Sequence, residues 1–362
     1  MYKCKKRLRK ECFTVIMNFT KIVKGEGTVK AELSSELLRK QIRNIPIIQG
    51  YIDEDDNITI MKLWNGEEIC IETVVSDSGY PKQIKEIIAS VHSDFYCVIL
   101  APYISEQTAD ICKESGFGFL DMSGNCYIAH KSLFIEIKGN KNIYKPKRSI
   151  KSVYERSSVV SSVILRILLE DVNRFWKLKD LAKTAGCSIG QVSKVKDFLL
   201  QQTYIEQTKE GIQVIDPKAL MKDWSAVYYN RNEEKVQCYS LDGLPDIEDR
   251  IAKMREDVGI SCLLTGFSGG VRYQPVVRYQ KVHILIDYKD LDNAIEYLNL
   301  KRVDTGANVI FIIQYDECVR LNSKLIKNNE VASPVQIYLD CMGIKGRGEE
   351  IAEAVLDREI CK

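Results

Sequence analysis

The sequence predicts a multi-domain α/β protein with three parts. On both sides of a central stretch, residues 157–216, strand-like apolar runs alternate with helix-like segments, which is typical of sheets covered by helices. Within the central stretch helical periodicity dominates instead. A polar, basic segment interrupted by Pro146 marks a linker over residues 140–151. We therefore place the domains at residues 1–148, 149–224 and 225–362.

Composition excludes several classes of protein. An apolar content of 45% and a charged content of 28% are ordinary for a globular protein, and 362 residues provide two or three cores. A net charge of +2 creates no overall field toward nucleic acid, so any DNA contact must come from a local surface. No apolar run approaches the about 20 residues of a membrane span. We expect no membrane partner.

Cysteine usage indicates a reducing compartment. The 12 cysteines are scattered singly without a CxxC spacing, and only three histidines accompany them. The basic N-terminal run, residues 3–10, precedes an apolar run too short for a secretory signal, and it is interpreted as a solvated helix start or a nucleic-acid arm. We expect reduced thiols, a cytoplasmic location, and neither a metal nor another cofactor.

The first domain alternates strands and helices. Asn65-Gly66 predicts a hairpin turn, Pro81 opens a helix, and Gly116 ends another. A helix is also predicted from Ser34 to Arg43. The remaining predicted strands and helices cover residues 57–64, 67–75, 96–101, 105–115, 117–121, 125–129 and 133–138. This order predicts an α/β sheet with helices on its faces.

The order of elements resembles restriction-endonuclease-like domains, which hold a divalent metal with an Asp and the Glu of an E-x-K motif. At the matching position, Glu72-Thr73-Val74, valine replaces the lysine. Asp121 with Glu136-Ile137-Lys138 does spell the motif, but it follows the strand–helix–strand that should come after the catalytic strand. We interpret the first domain as a degenerate, non-catalytic member of this class. Asp121 and Asn125 are predicted to form a turn around Gly124. A metal-dependent nuclease is the alternative.

Three helices and two strands are predicted in the central stretch. The first helix carries a stripe of apolar residues, the second ends at Gly186, and the third begins at the N-cap Ser188 and runs through Gln202. Two short strands, residues 204–207 and 212–215, flank a turn at Lys209-Glu210-Gly211. The inward-facing residues of the third helix are predicted to be Ile189, Val192, Val195 and Leu199.

This stretch resembles the winged helix-turn-helix of DNA-binding regulators, in which the third helix enters the major groove. Its outer face would present Ser188, Gly190, Gln191, Ser193 and Lys194. Small residues permit close approach, Gln191 could bind an adenine edge, and Lys194 suits guanine or a phosphate. Lys209 in the wing could contact the adjacent backbone, and the linker cations either follow phosphates or only keep the linker soluble. Winged helices also serve as protein–protein modules.

The third domain is again α/β, with strands at 236–241, 281–287 and 309–313 and helices at 247–256 and 291–298. Gly266-Phe267-Ser268 and Asp287 resemble the glycine–serine turn and metal-binding carboxylate of nucleotidyltransferases. Those enzymes need a second carboxylate nearby, and here Tyr288 and Lys289 follow instead. We interpret the third domain as nucleotidyltransferase-like and non-catalytic. The glycine run could in principle cradle a phosphate.

Several segments together resemble the AbiEi-like antitoxins and transcriptional regulators of type IV toxin–antitoxin systems. They are residues 98–105, 118–125, the helix-turn-helix stretch, and 335–352, where a last helix begins after glycines. The resemblance implies a non-enzymatic autorepressor that binds double-stranded operator DNA and counters a nucleotidyltransferase-type toxin. The flanking domains would supply contacts for a homodimer or a partner. A non-catalytic protein-interaction scaffold remains a third alternative.

Overall fold

The structure is a computed structural model that describes residues 37–38, 45–55, 57–142, 153–154, 159–228, 234–313, 317–344 and 346–362. Two compact units divide the chain, residues 1–149 and 150–362. The α/β class predicted from the sequence is confirmed, since each unit contains a seven-stranded sheet together with helices. The basic run at 3–10, most of the helix predicted at 34–43, and the linker cations from Lys145 to Lys151 lie outside the described residues.

The first unit is built on one sheet whose seven strands are neighbours in chain order. Two of its helices lie wholly within the described residues, α1 (Pro81–Ser90) and α2 (Glu106–Glu114). Its strands are β1 (Ile48–Asp55), β2 (Ile58–Leu63), β3 (Glu68–Val75), β4 (Tyr96–Ala101), β5 (Gly118–Asp121), β6 (Cys126–His130) and β7 (Leu133–Ile137).

Parallel pairing occupies the centre of this sheet. β4 pairs in parallel with β3 and β5, and α1 and α2 make the two crossovers. All six residues of β4 are buried, which explains its unbroken apolar sequence. The hairpin turn at Asn65-Gly66 is confirmed, with Gly66 at a φ of +78°. The edge strand β1 was not predicted, because Gly50 and the acidic run that follows weaken its strand pattern.

The second unit begins with helices and continues into a second sheet. Its helices are α3 (Val159–Glu170), α4 (Leu178–Thr184), α5 (Ile189–Gln201), α6 (Pro217–Tyr228), α7 (Leu244–Val258), α8 (Gly266–Tyr273), α9 (Leu291–Tyr297), α10 (Pro334–Met342) and α11 (Gly348–Val355). Short 3₁₀ turns lie at Tyr288–Asp290 and Glu317–Arg320, and a π-helical turn lies at Leu356–Ile360.

The strands of this unit form a small hairpin and a larger sheet. The hairpin consists of β8 (Ile205–Gln207) and β9 (Ile212–Val214). The sheet has the order β13-β10-β14-β12-β11-β16-β15. Its strands are β10 (Lys235–Tyr239), β11 (Leu263–Thr265), β12 (Val282–Ile286), β13 (Lys301–Arg302), β14 (Val309–Ile313), β15 (Lys324–Ile326) and β16 (Asn329–Val331).

One apolar core runs through the whole second unit, from Val153 to Ile360. A buried hydrogen-bonded chain reinforces it: Arg166 Nη2 donates to Gln336 Oε1 at 2.6 Å, and Gln336 Nε2 donates to Asp340 Oδ1 at 2.6 Å. The carboxylate of Asp340 also accepts a hydrogen bond from Thr265. Helix α3 is thereby linked to α10 and β11. The predicted domain boundary after residue 224 falls within α6 and stays a prediction about independent folding.

Two negative findings apply to the described part of the chain. Within it, the cysteines are free thiols, as the sequence predicts. Among the same residues, no helix combines the length and the apolar character that crossing a membrane requires.

Candidate nucleic-acid interface

Helix α5 is held from beneath by apolar contacts. Val192, Val195 and Leu199 are buried and belong to the core that also contains residues of α3 and α4. Gly186, at a φ of +62°, ends α4 and turns the chain toward α5 within a few residues. The packing of this inner stripe fixes which residues of α5 face outward.

A capping box organises the first turn of α5. Ser188 Oγ accepts a hydrogen bond from the Gln191 amide at 3.3 Å, and Gln191 Oε1 accepts one from the Ser188 amide at 3.0 Å. Because a backbone N–H can only donate, the atom facing it must be the side-chain oxygen of Gln191. A bidentate contact with adenine needs that oxygen as an acceptor, and would therefore break the box. The Nε2 group of Gln191 can donate without breaking it.

The outward face of α5 consists of small and polar residues. Gly190 lies opposite the buried stripe, and an added Cβ there would meet only Ser188 Oγ, at 3.9 Å. Lys194 is exposed and Ser193 is half-buried. The residues that the sequence assigns to this face are therefore brought together on one helix, and close approach to Gly190 is open.

The prediction for Ile189 was wrong. This residue was predicted to face inward, but 47% of its surface is exposed. At about 100° per residue, Ile189 lies roughly 90° from the centre of the stripe formed by Val192, Val195 and Leu199. It is also the first residue of the helix, with no preceding turn to cover it. The i, i+3 spacing was a true helical pattern, but its first member lies at the margin of the buried face.

The hairpin β8–β9 is attached to the segment before α4. Trp176 and Ile212 exchange backbone hydrogen bonds of 2.8 and 3.0 Å. Gly211 makes this approach possible, because a Cβ there would lie 2.5 Å from the Trp176 carbonyl oxygen. Lys209, at the tip of the hairpin, is exposed. These contacts do not show whether Lys209 reaches DNA, and its role as a phosphate contact stays a prediction.

The predicted turn around Gly124 is confirmed in the first unit. Asp121 is fully buried, and its carboxylate accepts hydrogen bonds from the amides of Ile104, Ser123 and Asn125 and from the Asn125 side chain, at 2.8–3.0 Å. Burial raises the pKa of Asp121, while these hydrogen bonds oppose the rise. Gly124 has a φ of +86°. The lone pairs that a metal would use are occupied by the chain itself.

Glu136, the second carboxylate of the nuclease alternative, is also engaged. Glu136 Oε1 lies 2.7 Å from Lys113 Nζ, and this lysine holds the pKa of Glu136 below its ordinary value. Lys138 is exposed. The structure, over the residues it describes, contains no group of three or more Cys, His, Asp or Glu residues that could hold a metal ion.

A groove of about 710 Å³ in the first unit lies away from Asp121. Its lining includes Tyr96 and Cys97, at the amino end of β4. Asp121 is at the carboxyl end of β5, which runs parallel to β4. The groove and the acidic turn therefore lie at opposite ends of the same pair of strands, so the groove does not bring substrate to that carboxylate.

The glycine run of α8 is filled by the protein's own side chains. A Cβ on Gly269 would lie 2.6 Å from Ile337 Cδ1, and one on Gly270 would lie 2.3 Å from Ile351 Cγ2. Ser268 is fully buried, where its Oγ accepts a hydrogen bond from the His283 amide at 2.9 Å. The run brings α8 close to α10 and α11, and it offers no open phosphate cradle. Asp287 lies 3.9 Å from Arg320.

Comparison with known protein families gives one finding for this chain. Residues 213–361 match a family described as transcriptional regulator, AbiEi antitoxin, type IV toxin–antitoxin system. The predicted resemblance to AbiEi-like antitoxins is confirmed over these residues. The matched segment begins within β9 and does not include α5. No curated protein matches the chain.

Proposed function

We propose that this chain, which matches the AbiEi antitoxin and transcriptional-regulator family over residues 213–361, is a DNA-binding autorepressor of a type IV toxin–antitoxin operon. The proposed DNA-binding element is a winged helix-turn-helix in the second unit, with α5 as the recognition helix and β8–β9 as the wing. Double-stranded operator DNA is the proposed ligand. No residue is assigned a catalytic role.

The order and packing of the elements support this proposal. Helices α3 and α4 share an apolar core with α5 and leave its opposite face outward. A B-DNA major groove is just wide enough to admit such a helix. The hairpin β8–β9 follows α5 directly and is pinned to Trp176 by two backbone hydrogen bonds, so it has a fixed position from which to reach an adjacent phosphate.

The single observation that carries the proposal is the open face at the start of α5. Gly190 has no packing role in the described chain, since an added Cβ meets nothing closer than 3.9 Å. Glycine in a helix costs about 1 kcal/mol relative to alanine. A glycine in a helix without an internal packing reason fits a surface that another molecule must approach closely. A DNA groove is such a surface, and Lys194 and Lys209 supply charge for its phosphates.

The partners proposed beyond DNA follow from the family. A cognate nucleotidyltransferase-type toxin is the proposed target of the antitoxin activity, and a homodimer would match a two-fold symmetric operator. The three proposed domain types are a degenerate restriction-endonuclease-like domain, the winged helix and a non-catalytic nucleotidyltransferase-like domain. The proposed lack of catalysis in the last domain is supported by the missing second carboxylate after Asp287. A cytoplasmic location is proposed with this role, and free thiols are the form that cysteines take in that compartment.

Fluorescence anisotropy with the DNA upstream of the chain's own gene tests the proposal. The wild-type protein and the Gln191→Ala/Lys194→Ala variant are titrated against that duplex over a series of salt concentrations. Wild-type binding should be tight and should weaken steeply with salt, because bound cations release counterions from the phosphates. The double variant should bind at least tenfold more weakly, which corresponds to about 1.4 kcal/mol.

A matched control removes the same two residue types elsewhere. Gln237→Ala/Lys235→Ala changes exposed residues of β10 and should bind like the wild type. Equal affinities for the wild type and the α5 variant would reject the assigned DNA-binding face. Absence of binding to the upstream duplex would reject the autorepressor, and would favour a protein-interaction role for the helix-turn-helix.

A further inference from the structure

We propose that Ile189 is a specificity-determining residue that contacts thymine C5-methyl groups in the major groove. This inference rests on the proposed function, because it requires the start of α5 to enter that groove. It assigns a role to a residue that the sequence analysis placed in the core. It also predicts the class of base that the protein prefers.

The surroundings of Ile189 set it apart from an ordinary exposed apolar residue. Single exposed apolar side chains are common and need no special explanation. Ile189, however, lies between Ser188 and Gly190, and Ser193 follows one turn later on the same edge of the helix. With 47% of its surface exposed, it is a large apolar group among small neighbours. It therefore projects beyond the surface that surrounds it.

The first turn of α5 also gives Ile189 a fixed geometry. Ile189 lies between Ser188 and Gln191, the two residues of the capping box, whose hydrogen bonds of 3.0 and 3.3 Å fix the backbone of this turn. A β-branched side chain in a helix is restricted to one strongly preferred χ1 rotamer. Little side-chain entropy is then lost when Ile189 meets a partner surface, so a small apolar contact can contribute measurably to affinity.

The chemistry of the groove identifies the matching base. Thymine presents its C5-methyl group beside the O4 acceptor, and the other unmodified bases carry no methyl group in the major groove. The capping box occupies Gln191 Oε1 and leaves the Nε2 donors usable. Ile189 presents an exposed apolar side chain at the start of α5, which is complementary to that methyl group. Gln191 lies about 160° away around the helix, so its donors are left for a different contact.

A substitution in the DNA isolates the methyl group. The upstream duplex is prepared once with thymine and once with uracil in every thymine position, which deletes the C5-methyl groups and keeps the base-pairing pattern. Anisotropy titrations then compare the two duplexes with wild-type protein, Ile189→Ala and Leu325→Ala. Leu325, on β15, is 75% exposed and serves as a matched control for losing an exposed apolar side chain.

The expected result is a coupling between the protein and DNA changes. Uracil should weaken wild-type binding about fourfold for each methyl group contacted, the equivalent of burying one such group. Ile189→Ala should bind the thymine duplex correspondingly more weakly and should no longer distinguish it from the uracil duplex. Leu325→Ala should keep the wild-type preference. Unfolding temperatures of the variants are measured as well, because Ile189 is only 47% exposed and a loss of stability must be separated from a loss of binding.

Three results would overturn the inference. Equal wild-type affinity for both duplexes would show that no methyl group is read, while leaving DNA binding itself intact. A preference for thymine that persists in Ile189→Ala would assign the methyl contact to another residue. Absence of binding to either duplex would remove the proposed function and this inference together, and would indicate that Ile189 belongs to a protein interface.

Discussion

Two clusters of glycine and serine in the second unit look alike in the sequence and differ in their surroundings. At the start of α8, Ser268 and Gly269 are buried, and an added Cβ on the glycine would collide with Ile337 and with the Leu264 carbonyl, at 2.6 and 2.7 Å. At the start of α5, Ser188 and Gly190 are exposed, and the corresponding Cβ would meet nothing closer than 3.9 Å.

The surroundings of a small residue at a helix start indicate whether it serves packing or binding. Where a neighbouring element fills the space, the glycine serves the packing of the protein itself, as α8 does against α10 and α11. Where the space is open, the cost in helix propensity has no internal compensation, and we proposed an external partner for that reason. Changes at Ser268 and Gly269, the closed cluster, should therefore affect stability. Changes at Ser188 and Gly190, the open cluster, should affect binding.

The largest expected effect is a loss of folding stability in acid that His283 causes. His283 packs against the start of α8, where its ring carbon Cγ would lie 2.9 Å from a Cβ on Gly266. Burial, with smaller contributions from Lys235 and Lys281, lowers the pKa of His283 to about 4 from its ordinary 6.5. Between these values the unfolded chain binds more protons than the folded one, so stability is full above pH 6.5 and falls as the pH drops toward 4. The loss should reach about 3 kcal/mol.

Urea unfolding at several pH values, followed by tryptophan fluorescence, measures this loss. His283→Phe keeps a ring against Phe267 and should remove most of the pH dependence between 4 and 6.5. An unchanged slope in the variant would show that His283 is not the group that destabilises the closed cluster in acid.

The next effect is that of Gly269→Ala. The new methyl group must displace Ile337 or the backbone at Leu264, and such overpacking costs about 2 kcal/mol. Urea unfolding should show the lowered stability, while the folded variant should bind DNA like the wild type. A stability equal to that of the wild type would mean that the closed cluster has room, and would weaken the distinction between the two sites.

The smallest effect on folding, in the opposite direction, is expected for Gly190→Ala. The same substitution meets open space here, so stability should rise by up to about 1 kcal/mol through helix propensity. DNA affinity should fall about tenfold, because the methyl group occupies the surface of closest approach. Paired unfolding and anisotropy measurements on the two alanine variants test the comparison directly. Unchanged affinity in Gly190→Ala would contradict the role given to the open cluster.

Local signals in the sequence were enough to predict most elements. Asn65-Gly66 marked a hairpin turn, Ser105 and Gly116 bounded α2, and Ser188 capped α5, each because a specific backbone geometry favours those residue types. The acidic turn at Asp121 was also predicted correctly, since Asp and Gly at this spacing satisfy the turn locally. The exposure of Gly190, Gln191 and Lys194 agrees with the helical periodicity of α5, while their role in DNA binding stays a prediction.

The remaining features depend on tertiary contacts that the sequence does not display. The short edge hairpin β15–β16 carries too few residues for a strand pattern, and its pairing is set by β11. The exposure of Ile189 depends on where the packing of α5 ends, which an apolar spacing alone does not show. The filled space around Gly269 is visible only once α10 is placed beside α8. Neighbouring elements, and not local propensity, decide these cases.

The central claim is that α5 and the β8–β9 turn form the DNA-binding face, and hydrogen–deuterium exchange tests it most directly. Exchange is measured on the full chain, free and bound to the upstream duplex, which locates the contact without any substitution. Exchange should become slower in peptides that cover residues 187–194 and 208–211 when DNA is bound. A bound duplex that protects other segments and leaves these two unchanged would contradict it.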